Sequence, residues 1–247
     1  MFNFFSKSKP ALGKVDLSVL KMDMHSHLLP GIDDGSTDME TSLKLIKGMM
    51  QLGYTKLVTT PHIMWDMYKN TSEIILKKLE LVREAIKAEG LNVEIHAAAE
   101  YFLDDYTAGL IKSNTPLLTI SGNMVLVEFS MAYRTHGLKD ILFDMQMQNY
   151  QPVIAHPERY IYLDQNKEFY EELKDIGCLF QLNLLSLGGY YGKSVQELAQ
   201  YLIKKGHYDL IGTDLHHDRH LEALHNTAIT TPLMKLLDSG KIRNPEL

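Results

Sequence analysis

The sequence holds a single cysteine, Cys178, in 247 residues. One thiol cannot build an intramolecular disulfide framework, and such scarcity fits a reducing compartment. Long apolar runs are also missing. Nothing approaches the ~18 residues of a membrane span, and the opening MFNFFSKSKPALGK lacks the apolar stretch of a signal peptide. Positive charge is outnumbered, with 25 Lys and Arg against 31 Asp and Glu, a formal balance of −6. That balance excludes a strong binder of a phosphate backbone, so no nucleic-acid partner is expected. It leaves a phosphorylated substrate open, because bound metal ions add positive charge that a residue count omits. No repeat, low-complexity tract or Pro/Gly/Ser linker divides the chain. The expectation is a soluble cytoplasmic protein with no integral membrane segment, a tail over 1–18 and one domain over 19–247.

Short apolar runs alternate with longer segments of helical period, the pattern of repeated β-α units. VLKMDMH (19–25) reads as a first strand. METSLKLIKGMMQLG (39–53) places Leu43, Ile46 and Met50 on one helical face before Gly53 ends it. YTKLVTTPH (54–62) reads as the second strand, and SEIILKKLELVREAIKAEG (72–90) as the clearest helix. Strands are expected at VEIHAAAEY, MVLVEFS, PVIAHPE, CLFQLNLL and YDLIGTD, with helices near 137–149, 166–176 and 193–205. About seven β-α units of this kind predict an α/β parallel barrel. Cys178 falls at an apolar strand start with no arginine following, so it reads as core and not as a thiolate nucleophile.

In such a barrel the active site lies at the C-terminal ends of the strands. Those ends carry His25 and His27, then His62, Glu100, Glu128, His156, and finally Asp214 and His216. Asp33 and Asp34 lie in the first loop. Alternate residues of an extended chain point the same way, so His25 and His27 can reach one ion, and Asp214 and His216 repeat the arrangement. The closing strand of a barrel lies beside the first, which makes the two pairs neighbours. One polar residue at a strand end arises easily by chance; placement at six strand ends does not. Mixed imidazole and carboxylate donors suit zinc, iron or manganese better than calcium. His96, His136, His207, His217, His220 and His225 read as surface or core residues.

The motifs DMHSHLLPGIDDG, TTPH, AAAEY, LVEFS, PVIAHPERY and GTDLHH resemble those of the polymerase-and-histidinol-phosphatase (PHP) superfamily. More narrowly, they resemble its bacterial protein-tyrosine phosphatases of the CpsB/YwqE type, over about residues 21–220. The resemblance implies a distorted (β/α)7 TIM-like barrel holding three divalent metal ions, manganese foremost, with iron or zinc as alternatives. It implies that His25, His27, Glu100 and Asp214 hold one ion and that Glu100 bridges to a second, completed by Glu128 and His156. Asp34, His62 and His216 would hold the third. Arg159 matches the arginine that binds substrate phosphate, and Arg219 lies near a second such position.

On that reading the four carboxylates Asp34, Glu100, Glu128 and Asp214 contribute −4 and three divalent ions +6, leaving about +2 to meet a phosphate dianion. A hydroxide shared by two ions would attack phosphorus while the third ion and Arg159 grip the phosphoryl oxygens. Tyrosine, with a pKa of about 10, leaves without a general acid. The implied substrate is a phosphotyrosine protein, such as a tyrosine kinase of capsule or exopolysaccharide synthesis. Trp65, Tyr68, Tyr133, Tyr160 and Tyr162 are candidates to frame the phosphoester at the rim. A PHP small-molecule phosphatase, such as one acting on histidinol phosphate, would use nearly the same metal chemistry, and a barrel serving only as a binding module would show degenerate ligand positions.

Overall fold

Runs rich in Val, Ile, Leu and Met form nine short strands in the computed structural model, which describes residues 15–247. They are β1 Met22–Asp23, β2 Lys56–Thr59, β3 His62–Ile63, β4 Glu94–Ala97, β5 Glu100–Phe102, β6 Met124–Glu128, β7 Gln151–Ala155, β8 Leu179–Asn183 and β9 Leu210–Gly212. Every pairing between them is parallel. β1, β2 and β4 make one group, and β3, β5, β6, β7, β8 and β9 the other.

The two groups are parts of one ring. The second expected strand divides into β2 and β3 at Pro61, which has no N–H to give to a ladder, and its neighbour divides at the same level into β4 and β5. Backbone bonds carry the pairing across the break, from Ala98 N–H to Thr59 O (2.9 Å) and from Glu100 N–H to Pro61 O (3.1 Å). The ring closes where Ser26 bridges Leu215, flanked by His27 N–H to Leu215 O (2.9 Å) and Asp214 N–H to His25 O (2.8 Å). The result is a distorted (β/α)7 barrel with the two longest broken staves side by side.

Period-two alternation separates its two cores. Met22, Val58, Leu126, Val153 and Leu210 pack together as one cluster, whereas Val125, Val127, Ile154 and Ile211 from the same strands join the larger layer against the helices. Glu128 shares the register face of Met124 and Leu126, so β6 delivers it to the inner side of the barrel mouth. Helices Met39–Gln51, Ser72–Ala88, Leu138–Met147, Glu168–Asp175 and Lys193–Lys205 occupy the expected segments. The first two are capped by Asp38 and Thr71, whose side chains accept from Thr41 and Ile74 N–H. Helices Asp105–Lys112, Asp218–Leu224 and Thr230–Asp238 are additions to the sequence reading.

The tail expected over 1–18 lies, up to residue 14, outside the described residues. Val15 and Leu17 are buried, and Leu17 N–H donates to Leu52 O at 2.7 Å. Among the described residues no helix is long and apolar enough to cross a membrane. Cys178 is buried in the larger core, and that burial pushes its thiol up to about 12. Iodoacetamide at pH 8 should therefore leave the folded protein unlabelled at Cys178, with labelling by mass spectrometry appearing only in denaturant.

Candidate metal centre

The strand ends converge on a buried polar cluster at the mouth of the barrel. Ligand atoms of His25, His27, Glu100 and Asp214 all lie within 4.8 Å of one another; so do those of His27, Asp34, His62 and His216, and those of His62, Glu100 and Glu128. Each set is one that could hold a metal ion. Glu100, fully buried, stands at the centre. Its Oε2 lies 3.2 Å from His25 Nε2, 3.4 Å from His27 Nε2 and 3.3 Å from His62 Nδ1, while Oε1 meets His156 Nε2 at 3.1 Å. Asp214 is split in the same way. Oδ1 faces His25, His27 and His216, and Oδ2 is held by Arg159 Nη1 (2.7 Å) and Asn183 Nδ2 (3.0 Å).

Two of these residues sit on backbone that non-glycine residues seldom adopt. His156 has φ +32° and Asp214 φ +52°. Alternation after Ala155, which packs in the inner cluster, would send His156 outward; the left-handed turn brings it back over the barrel mouth. At the facing strand end there is room only for glycine. A Cβ on Gly212 would come within 2.7 Å of His25 Cβ and 2.9 Å of Gln181 Nε2.

The cluster fits a cation better than it fits itself. His156 Nδ1 and His62 Nδ1 are buried without a hydrogen-bond partner, although His62 Nδ1 is 2.8 Å from Glu128 Oε1. That short approach falls outside hydrogen-bond geometry, which is how two lone pairs look when they converge on a common point. His27 Nε2 likewise faces His25 Nε2 at 3.3 Å. Elsewhere the far ring nitrogens are tied down. His25 Nδ1 donates to Gln181 Oε1 (2.8 Å), His27 Nδ1 to Asp33 Oδ2 (2.8 Å) and His216 Nδ1 to Asp214 O (2.9 Å). Each bond fixes the tautomer that leaves Nε2 free to ligate.

Electrostatics report the same demand for positive charge. Burial opposes the charge of His25, yet Glu100 and Asp214 raise it to about 10; His62 is raised to about 9 against its own burial, chiefly by Glu128 and Glu100. Burial would push Glu100 and Asp214 up, but His25 beside both holds them well below the carboxylate range. Five carboxylates, counting Asp33, thus surround the imidazoles, and His25, His27 and His62 are all raised above the ordinary imidazole range.

A cavity of about 460 Å³ opens over the cluster. Arg159 lines it, its guanidinium 4.5 Å above the Tyr191 ring and paired to Asp214; burial works against the charge, and Asp214 more than restores it. Arg219 does not join the cavity lining: it is exposed on helix Asp218–Leu224. On that helix His220 is turned to the cavity, and the adjacent position points away. The rim aromatics are largely reassigned. Tyr160 is fully buried and stacks on Phe129 at 3.9 Å, and Trp65 stacks on Tyr106 at 3.9 Å. Tyr133 and Tyr162 are not in the lining, and of the five candidates Tyr68 alone borders the cavity, its ring parallel to His62.

The residues that orient the ligands escaped sequence reading, though one signal was available. In FQLNLL, Gln181 and Asn183 alternate with apolar neighbours, which is how a strand presents polar groups on its inner face. Behind them lies Glu158, fully buried. Its Oε1 accepts from Asn183 N–H (2.9 Å) and Ser186 Oγ (2.8 Å), and its Oε2 from Tyr208 Oη (2.8 Å). This knot ties the turn bearing His156 and Arg159 to the end of β8. Truncation by Glu158→Ala would strand three buried donors at about 1–3 kcal/mol each. The expected loss of at least about 3 kcal/mol corresponds to a melting point lower by roughly 6–12 °C, readable by calorimetry.

Residues 21–231 match the family described as capsular polysaccharide synthesis, CpsB/CapC. The tyrosine-protein phosphatase CpsB of Streptococcus pneumoniae is 31% identical over 201 residues, which is 79% of this chain and 82% of that protein. The fold resembles a crystal structure from work on YwqE of Bacillus subtilis and CpsB of Streptococcus pneumoniae, described as metal-dependent tyrosine phosphatases. That match has a TM-score of 0.75 at 21% identity and covers 90% of this chain and 94% of the other. A histidinol phosphate phosphatase from Lactococcus lactis shares the fold more distantly, with a TM-score of 0.55 at 15% identity over 87% of this chain and 93% of that one.

Proposed function

The chain belongs to the CpsB/CapC family, and from that premise we propose that it is a metal-dependent protein-tyrosine phosphatase acting on a phosphotyrosine protein. The observation that carries the reading is the convergence of imidazoles and carboxylates with one arginine on a single open cavity. The ligand sets follow the contacts. His25, His27, Glu100 and Asp214 would hold one divalent ion, and Asp34, His62 and His216 another. Glu100 would bridge to a third, completed by Glu128 and His156; the proximity of His62 to Glu128 and of His156 to the other oxygen of Glu100 supports both as members of a shared site.

Bound divalent ions would supply Lewis-acid charge and make water a competent nucleophile at neutral pH. The chain's own part is to bind and orient. Arg159 presents N–H donors beyond the one given to Asp214, and these can take two phosphoryl oxygens together. Tyr191 beneath the guanidinium and Asn183 beside it keep that geometry. The phenolate of tyrosine departs at a pKa of about 10, so no residue is needed to protonate it. Manganese is the first candidate metal, since the donors mix nitrogen and oxygen, and iron or zinc are the alternatives. A bacterial tyrosine kinase of capsule or exopolysaccharide synthesis is the proposed substrate, in the cytoplasm.

The test is hydrolysis of a phosphotyrosine peptide before chelation, after it, and after return of Mn²⁺. Activity should vanish with chelation, return with the metal, and withstand iodoacetamide throughout. Activity indifferent to chelator, or abolished by the alkylating agent in the native state, would overturn the proposal.

A further inference from the structure

The cavity has a second side that the donor cluster does not explain. Beside Arg159 and the donor cluster it is lined by Met64, Met67, Phe102 and Met131, set on the chain following β3, on β5 and on the chain following β6. Every carboxylate in the lining belongs to the donor cluster. An amino-alcohol phosphate would therefore find no separate counter-charge for its ammonium in this lining.

Three of the four wall residues are methionines. The thioether is polarizable and unbranched, makes favourable contacts with aromatic rings, and adapts to partners of differing shape. Met67 is 64% exposed, a large apolar side chain left in water at the rim. The loop that carries it is nevertheless fixed. Met64 and Tyr68 bridge each other, with Tyr68 N–H to Met64 O at 2.7 Å, and Met67 N–H donates to Met64 O at 3.0 Å. Trp65 anchors the loop outward, its ring stacked on Tyr106 and its backbone N–H donating to Asp104 Oδ2 (3.2 Å). A preformed apolar wall beside a charged floor is the build of a site that orients one ligand by both ends.

We infer that Met64, Met67, Met131 and Phe102 form the seat of the substrate's aromatic ring and set a preference for aryl over alkyl phosphate monoesters. The inference rests on the phosphatase reading of the same cavity and names which residues recognise the substrate's organic part. Of the rim aromatics expected from the sequence, Tyr68 remains in the lining, and these apolar side chains join it there.

Binding of phenylphosphonate and methylphosphonate to the Mn²⁺-loaded protein, measured by calorimetry, isolates ring contact from leaving-group chemistry. The wild type should bind the phenyl compound about tenfold more tightly, the scale of burying one ring face against apolar side chains. The double variant Met67→Ser/Met131→Ser should lose that advantage while binding methylphosphonate within twofold of wild type. Met67→Leu/Met131→Leu should retain most of it, since the wall stays apolar. Equal affinity for the two phosphonates in the wild type, or parallel loss of both in the serine variant, would overturn the inference. Turnover of a phosphotyrosine peptide separates the two levels. An active enzyme that binds both phosphonates alike overturns the ring seat alone, whereas a protein that hydrolyses no aryl phosphate and binds neither phosphonate overturns the phosphatase reading as well.

Discussion

Glu100→Gln is expected to lower phosphatase activity by about 10³-fold or more and to reduce bound metal in the same preparation. No other carboxylate in the cluster touches so many imidazoles. One oxygen meets His25, His27 and His62, the other His156. A carboxylate placed there can hold cations on two sides at once, because both oxygens carry charge and accept. Glutamine offers one neutral acceptor and turns an NH₂ donor toward imidazole nitrogens or a cation. The change is nearly isosteric, so packing is preserved and the loss reads on charge alone. Elemental analysis after Mn²⁺ loading and gel filtration, beside turnover of a phosphotyrosine peptide, gives the two readouts. Full metal content with near wild-type turnover would remove Glu100 from the centre of the scheme.

Much of this centre was legible before any fold was known, and the reason is geometric. In a parallel barrel the inner face of each strand end has one destination, so residue type plus strand position nearly determines where His25, Glu100 or Asp214 must point. Glu128 illustrates the rule through simple alternation with Met124 and Leu126. His156 reaches the same place by breaking that rule, through a left-handed residue that no periodicity announces. The supporting residues were harder still. Asp33, Gln181 and Asn183 are ordinary polar letters until their partners, up to 156 positions away, are known. The rim was misread for a related reason. Whether an aromatic faces a cavity or a core depends on neighbours distant in sequence, which left Tyr160 buried on Phe129 and Trp65 turned to Tyr106. Arg219 fell one helical position away from the face that His220 presents.

Arg159 should be the second most sensitive position, and the pair Arg159→Ala and Arg159→Lys separates its two possible roles. As a substrate group, it offers paired N–H donors to phosphoryl oxygens. Alanine should then cost about 10²–10³ in kcat/KM, the scale of one transition-state donor. Lysine keeps the charge but loses the fork, so it should recover only a small part of that loss and weaken inhibition by inorganic phosphate. As a positioning group, Arg159 would act through Asp214, whose Oδ2 it holds at 2.7 Å. Asn183 holds the same oxygen at 3.0 Å, so Asp214 stays oriented when the guanidinium is removed. Metal content in both variants is therefore expected to match wild type. Inhibition by phosphate divides the cases more sharply than rate does, because it senses the anion without any bond being broken. A parallel fall of metal and activity in Arg159→Ala, with phosphate inhibition unchanged in whatever metal-loaded fraction remains, would move Arg159 from substrate binding to support of Asp214.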